Sequence, residues 1–148
     1  SVDQLTPARL RIAQQAYADR LFTYLPAEVK TILDVGCGIG GNAASLLAKG
    51  FRVEGVAPDP FQQTQFLQRT QGNAKFYLSR FEDLPSSEQY DLLLFSESSQ
   101  YIAASDIAIK SKQLIRPNGY ILIADMFRKN PAYQTGIFSN CRVVTELE

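Results

Sequence analysis

The run Thr31-Ile32-Leu33-Asp34-Val35-Gly36-Cys37-Gly38-Ile39-Gly40-Gly41 decides how the rest of the chain is read. Its first five residues, apolar or β-branched around a single acid, read as a short strand. Glycines follow at once, and residues 42–49 then read as a small-residue helix closed by Gly50. A strand that breaks into glycines and re-forms as a helix makes a tight turn. There the backbone can approach a ligand, and the helix start offers free N–H groups to it. Gly36-x-Gly38-x-x-Gly41 is a weak pattern taken alone. Its place after the first strand of an alternating series strengthens it.

The alternation extends in both directions. Upstream, Thr6-Pro7 reads as a helix cap with proline in the first turn. Leu10, Ala13, Tyr17, Leu21 and Tyr24 follow at helical spacing until Pro26. Downstream, residues 51–56 read as a second strand and residues 60–70 as a helix with Gly72 after it. Residues 74–78 read as a third strand. Residues 90–95 form an almost continuous apolar run, the mark of a strand buried on both faces. Ser105-Asp106 reads as the cap of a helix that runs to Ile115. Pro117-Asn118-Gly119 reads as a turn, and residues 120–124 as a fifth strand. The expected fold class is α/β: a Rossmann-like, open, mostly parallel sheet with helices on both faces.

Composition narrows the chemistry. The 148 residues make one domain's worth of chain, and 45% hydrophobic with 20% charged residues is an ordinary globular balance. Fifteen basic residues offset fifteen acidic ones, so no general attraction to nucleic acid or anionic lipid is expected. No apolar run approaches a membrane span, and no charged-then-apolar leader opens the chain. A cytoplasmic setting is the expectation. The absence of histidine excludes His-based triads and His-ligated zinc. Cys37 and Cys141 alone cannot build a zinc site, and no metal is expected. Cys37 reads as a small loop residue, not a nucleophile, and Cys141 has no identifiable role. Chemistry must come from carboxylates, tyrosines, hydroxyls, backbone amides or a cofactor.

Two cofactor classes use such a glycine loop. A nicotinamide domain wants an acid at the tip of its second strand. Here that strand ends Gly55-Val56-Ala57, and Asp59 lies two residues further on. Asp34 stands where a dinucleotide domain usually has an apolar residue. By contrast, Asp34-x-Gly36-x-Gly38-x-Gly40 resembles motif I of class I S-adenosylmethionine-dependent methyltransferases. Phe81-Glu82-Asp83-Leu84-Pro85, Tyr90-Asp91-Leu92-Leu93-Leu94-Phe95 and Leu114-Ile115-Arg116-Pro117-Asn118-Gly119-Tyr120 resemble that family's next segments in order, over about residues 28–126. The resemblance implies S-adenosyl-L-methionine as cofactor. Asp34, Gly36, Cys37, Gly38 and Gly40 would then cradle its methionine and ribose part, with Asp34 orienting the loop or meeting the amino group. An equally local role for Asp34 is to cap nearby N–H groups.

The chain departs from the commonest family pattern at Ala57 and Arg80, where acids are usual. A subgroup acting on small or lipid-like molecules also lacks the first acid and uses a glutamine five residues on, here Gln62. The resemblance therefore assigns the ribose to Gln62, beside Ala57 and Pro58, and the adenine to Phe81 and Glu82. The competing role for Gln62 is a merely solvated place in a glutamine-rich helix, and for Glu82 it is likewise surface solvation. After the fourth strand, Ser96-Glu97-Ser98-Ser99-Gln100-Tyr101 faces the expected transfer site. Ser96 would border the cofactor, Glu97 is the general-base candidate, and Tyr101 would shape the pocket. Asp125 is a second acid at that rim. Helix capping or ion pairing is the competing role for both acids. Tyr17 and Tyr24 would cover the cofactor or join the core.

The implied activity is methyl transfer to an O, C or N atom of a small molecule. Its competitors are an inactive cofactor-binding relative, a nicotinamide oxidoreductase and, against the charge balance, a nucleic-acid methyltransferase. Family members usually finish with another helix and an antiparallel pair. The chain is thus expected to be a single domain over residues 1–148 with that C-terminal pair incomplete. Its fifth strand would be an open edge inviting a homodimer.

Overall fold

The computed structural model describes residues 6–85 and 87–127. Its elements run α1 (Pro7–Phe22), β1 (Thr31–Val35), α2 (Gly41–Ala48), β2 (Arg52–Ala57), α3 (Pro60–Arg69), β3 (Lys75–Leu78), β4 (Tyr90–Ser96), a 3-10 turn (Ser99–Tyr101), α4 (Ala104–Leu114) and β5 (Ile115–Ala124). The sheet has the order β3-β2-β1-β4-β5, and every pairing is parallel. This is the α/β fold the alternation implies.

Local chemistry sets the helix ends. Thr6 caps α1 by accepting the Arg9 N–H at 3.3 Å, with Pro7 in the first turn. α2 closes as a Schellman turn: Gly50 at φ 91° donates to Leu47 O, and Phe51 donates to Leu46 O. Two expectations need correction. α4 starts at Ala104 with Ala103 as its cap, not at Ser105-Asp106. Asp106 instead lies inside the first turn, where a carboxylate complements the free N–H groups. The Pro117-Asn118-Gly119 turn lies within β5 and does not precede it. Ile115 pairs with Tyr90 and Tyr120 with Leu92, so residues 116–119 take up the register shift. Asn118 does so at φ 63°.

Two apolar layers sandwich the sheet. On one face Ile32, Val53, Leu92 and Leu94 pack with Leu21, Phe22, Ala43, Leu46 and Phe66 from α1, α2 and α3. On the other, Leu33, Val35, Val56, Leu93 and Phe95 pack with Phe81, Leu84, Ile107 and Leu114. β1 and β4 are thus covered on both sides, which is why their sequences are nearly unbroken apolar runs.

Asp91 ties the other end of the sheet together. Its Oδ2 accepts the N–H groups of Lys30 and Thr31, each at 2.9 Å, and its Oδ1 accepts from Arg116 Nη1 at 2.9 Å. Burial alone would raise this carboxyl's pKa, but the backbone donors, the Thr31 side chain and Arg116 outweigh it and hold it at about 2. Its stabilisation is therefore complete above pH 4 and is lost as pH falls toward 2. Asp91→Ala should cost about 2 kcal/mol at pH 7, because it strands donors that had a charged partner. Urea titrations at pH 7 and pH 2.5 should show the gap between variant and wild type closing at the lower pH.

Candidate active site

β1 and β4 are neighbours whose connections leave toward opposite sides, so a crevice opens beyond their carboxyl ends. The glycine loop fills one side of it. Gly36 N–H donates to Val56 O at 2.9 Å, and Gly40 N–H donates to Cys37 O at 3.0 Å. Gly36 and Gly38 have φ of 69° and 53°. The two differ in what surrounds them. A Cβ on Gly36 would lie 2.5 Å from the Cβ of Ser98, whereas one on Gly38 would meet nothing within 4 Å. Gly36 is required by packing, and Gly38 leaves open room beside the backbone. Gly40 caps α2 and backs onto Phe66.

Two acids are buried in adjacent strands, and they contrast. Glu54, 6% exposed, accepts from Tyr77 Oη at 2.9 Å and Tyr90 Oη at 2.6 Å, and pairs with Arg52. Asp34, 1% exposed, has no hydrogen-bond partner for Oδ2 among the described residues. The local capping role for that oxygen is not what the fold provides. Burial pushes the Asp34 carboxyl up to about 7. A buried carboxyl oxygen left without a partner costs free energy, and burial favours its neutral form.

The crevice has a volume of about 410 Å³. Of the residues expected from sequence, Gly36, Ala57, Pro58, Gln62, Phe81, Glu82, Glu97 and Tyr101 line it. Gln62 stands in the first turn of α3, half-buried, and is the glutamine of that helix that reaches the crevice. Glu82 is ion-paired with Arg80 at the wall, so simple solvation does not describe it. Phe81 is 4% exposed and packs edge-on against Phe95 at 5.3 Å, so it is as much core as wall. Asp34, Cys37, Gly38, Gly40 and Ser96 are not among the lining residues. Cys37 turns its thiol inward toward Gly55, and burial raises that thiol's pKa, which fits a packing role.

On the other side, Glu97 is exposed at the crevice and adopts φ 56°. Tyr101, 72% exposed, stands at the mouth. Asp125 is taken up by capping: its Oδ2 accepts Ser99 Oγ at 2.7 Å and Gln100 N–H at 3.2 Å, and its Oδ1 accepts Met126 N–H at 2.9 Å. Tyr17 Oη lies 3.4 Å from Ser96 Oγ and brings α1 to the tip of β4, while Tyr24 is 62% exposed. Cys141 lies outside the described residues.

Among the wall residues to which the sequence reading gave no role are Asp59, Arg80 and Ser98. Asp59 lines the crevice while capping α3 through Phe61 N–H at 2.8 Å. Its place before Pro60 was a legible cap signal. Arg80 was read only as a departure from a pattern. Ser98 donates to Val35 O at 2.6 Å and lines the crevice, and nothing local in the sequence marks that contact.

Comparisons with known proteins point the same way. A family model described as a methyltransferase domain matches residues 9–135. The ubiquinone biosynthesis O-methyltransferase of Rickettsia bellii (strain OSU 85-389) is 31% identical over 114 residues, covering 73% of this chain and 47% of that protein. The enzyme of the same name from Rickettsia akari (strain Hartford) is 34% identical over 112 residues, covering 72% and 44%. The chain thus spans about half the length of the curated relatives it matches. Among solved structures, geranyl diphosphate C-methyltransferase from Streptomyces coelicolor A3(2) aligns with a TM-score of 0.80 at 19% identity, over 95% of this chain and 59% of that one. The StiE O-MT aligns with a TM-score of 0.73 at 21% identity, over 85% and 47%. At these identities the likeness is one of fold.

Proposed function

The chain belongs to the methyltransferase-domain family, and on that premise we propose that it uses S-adenosyl-L-methionine to methylate a hydroxyl oxygen of a small molecule. The observation that carries the proposal is the single crevice that joins Gly36, Gln62 and Glu82 on one side to Glu97 on the other. The name of the curated relatives favours oxygen as the acceptor atom. The nicotinamide reading falls with the family match.

The residues present fit the cofactor. Gln62 and Glu82 offer polar groups on the crevice wall. Off the wall, next to the lining residues Val35 and Gly36, the orphaned Oδ2 of Asp34 suits an ammonium group and the open space at Gly38 admits a ligand close to the backbone. S-adenosylmethionine supplies a methyl group on a sulfonium sulfur, which needs positioning more than covalent help. Asp34 would hold the amino group, Gln62 the ribose hydroxyls and Glu82 the adenine amine. Glu97 would take the acceptor's hydroxyl proton, and Tyr101 would bound the acceptor side. No helix among the described residues is long and apolar enough to cross a membrane. A cytoplasmic setting and self-association along β5, one of the two edge strands among the described residues, belong to the same proposal.

Calorimetric titration with S-adenosylmethionine and S-adenosylhomocysteine, with NADH as control, tests it. The first two should bind with micromolar affinity. Gly38→Arg should abolish binding by filling the open space, and Gln62→Ala should weaken it about tenfold, the worth of one or two hydrogen bonds. A folded chain that binds neither compound would refute the proposal.

A further inference from the structure

β4 ends at Ser96, and the chain then turns through Glu97 in the left-handed region, where a side chain is strained. Three contacts hold that turn. Glu97 N–H donates to Ala124 O at 2.8 Å. Ser98 Oγ donates to Val35 O at 2.6 Å. The Cβ of Ser98 occupies the space that a side chain on Gly36 would need, 2.5 Å from where that Cβ would stand. Ser98 is 6% exposed, and its carbonyl accepts the Tyr101 N–H at 3.2 Å.

We propose that Ser98 is a positioning residue that ties the glycine loop to the loop bearing Glu97 and Tyr101, so that both sides of the crevice are held as one unit. The inference rests on the reading of the crevice as a methyl-transfer site. The pairing of β1 with β4 ends at Val35 and Phe95. Past that rung the two chains diverge around the crevice, and the Val35 carbonyl needs a donor. Ser98 supplies it from the far loop. The same side chain then sits against Gly36, so the two loops share a bond and a packing contact at one point. Glycine at position 36 is explained by Ser98, whereas glycine at position 38 has no such neighbour.

A double-mutant cycle tests the coupling, with S-adenosylhomocysteine as the probe and calorimetric affinity as the readout. Gly36→Ala should lose at least about a hundredfold in affinity, and Ser98→Gly alone about threefold, because the bond that ties the two loops is lost. Wild-type affinity in Ser98→Gly would overturn the positioning role. The double variant should recover about tenfold over Gly36→Ala, because the clash is gone while the backbone strain at position 36 remains. That strain is common to both arms and cancels in the cycle. Additive losses would overturn the coupling, with wild-type binding left intact. A wild type that does not bind would overturn both this inference and the functional reading beneath it. Should Gly36→Ala fail to fold, recovery of folded, binding-competent protein in the double variant supports the proposal, and its absence overturns it.

Discussion

Asp34→Asn is expected to make the ligand-free protein more stable at pH 8 while weakening its hold on the cofactor. The carboxyl's ordinary pKa of 3.8 is raised to about 7 by burial. The folded state therefore keeps a proton that the unfolded state releases between those values, and stability falls as pH rises from about 4 to about 7. Above pH 7 the ionised carboxylate costs the fold roughly 4 kcal/mol. Asparagine removes that charge but brings buried amide donors, whose desolvation returns about 2 kcal/mol of the gain. A net rise of about 2 kcal/mol in urea titrations at pH 8, shrinking or reversing at pH 5, is the expected result. Binding should move the other way. Wild-type affinity for S-adenosylhomocysteine should climb between pH 5.5 and pH 7.5, as the carboxylate becomes available to an ammonium partner. The asparagine variant should show little of that climb and bind about a hundredfold more weakly at pH 7.5, the usual effect of losing one partner of a buried charge pair. Parallel pH profiles for the two proteins would remove Asp34 from cofactor binding.

Glu97→Gln should lower turnover by about a hundredfold to ten-thousandfold, the range for removing a positioned base. The probe is a panel of small hydroxyl-bearing acceptors, followed by release of S-adenosylhomocysteine. Affinity for S-adenosylhomocysteine itself should stay within about threefold, since the amide keeps the shape of the wall. Glu97→Gly adds a stability measurement. Because residue 97 sits at φ 56°, glycine should relieve about 1 kcal/mol of backbone strain and raise the melting temperature, while turnover is lost as in the glutamine variant. A residue that stabilises the fold when deleted, and whose deletion stops the reaction, is one whose geometry serves chemistry. Retained turnover in both variants would mean that the acceptor's proton leaves by another route.

Much of this was readable from local chemistry. Thr31–Val35 is a strand because apolar and β-branched residues, interrupted only by Asp34, run into glycine, and the structure begins and ends it at those residues. The caps at Thr6 and Gly50 and the doubly buried β4 likewise follow from residue type and spacing. Errors arose where neighbours compete. Ser105 and Asp106 are good caps in isolation, yet the helix begins one residue before Ser105, without a side-chain cap. The Pro-Asn-Gly turn is real, but pairing of its flanks with β4 places it inside a strand.

The site divides along the same line. The succession of strands and helices along the chain and the glycine loop are properties of successive residues and were determined by the sequence alone, and the family resemblance they carry implied the cofactor. The order of strands across the sheet came from the fold. What each residue does there depends on partners far along the chain. Asp34 is unusual because the fold buries it and leaves one oxygen unpaired, whereas Glu54, equally buried, finds two tyrosines. Asp125 and Glu97 are both acids at strand ends, but hydrogen bonds across the rim make Asp125 a cap and leave Glu97 at the crevice. Ser98 reaches Val35 across 63 positions of sequence. Local propensity acts over a few residues, whereas burial and long-range hydrogen bonds exist only once the sheet has closed, so those roles were decided by the tertiary structure.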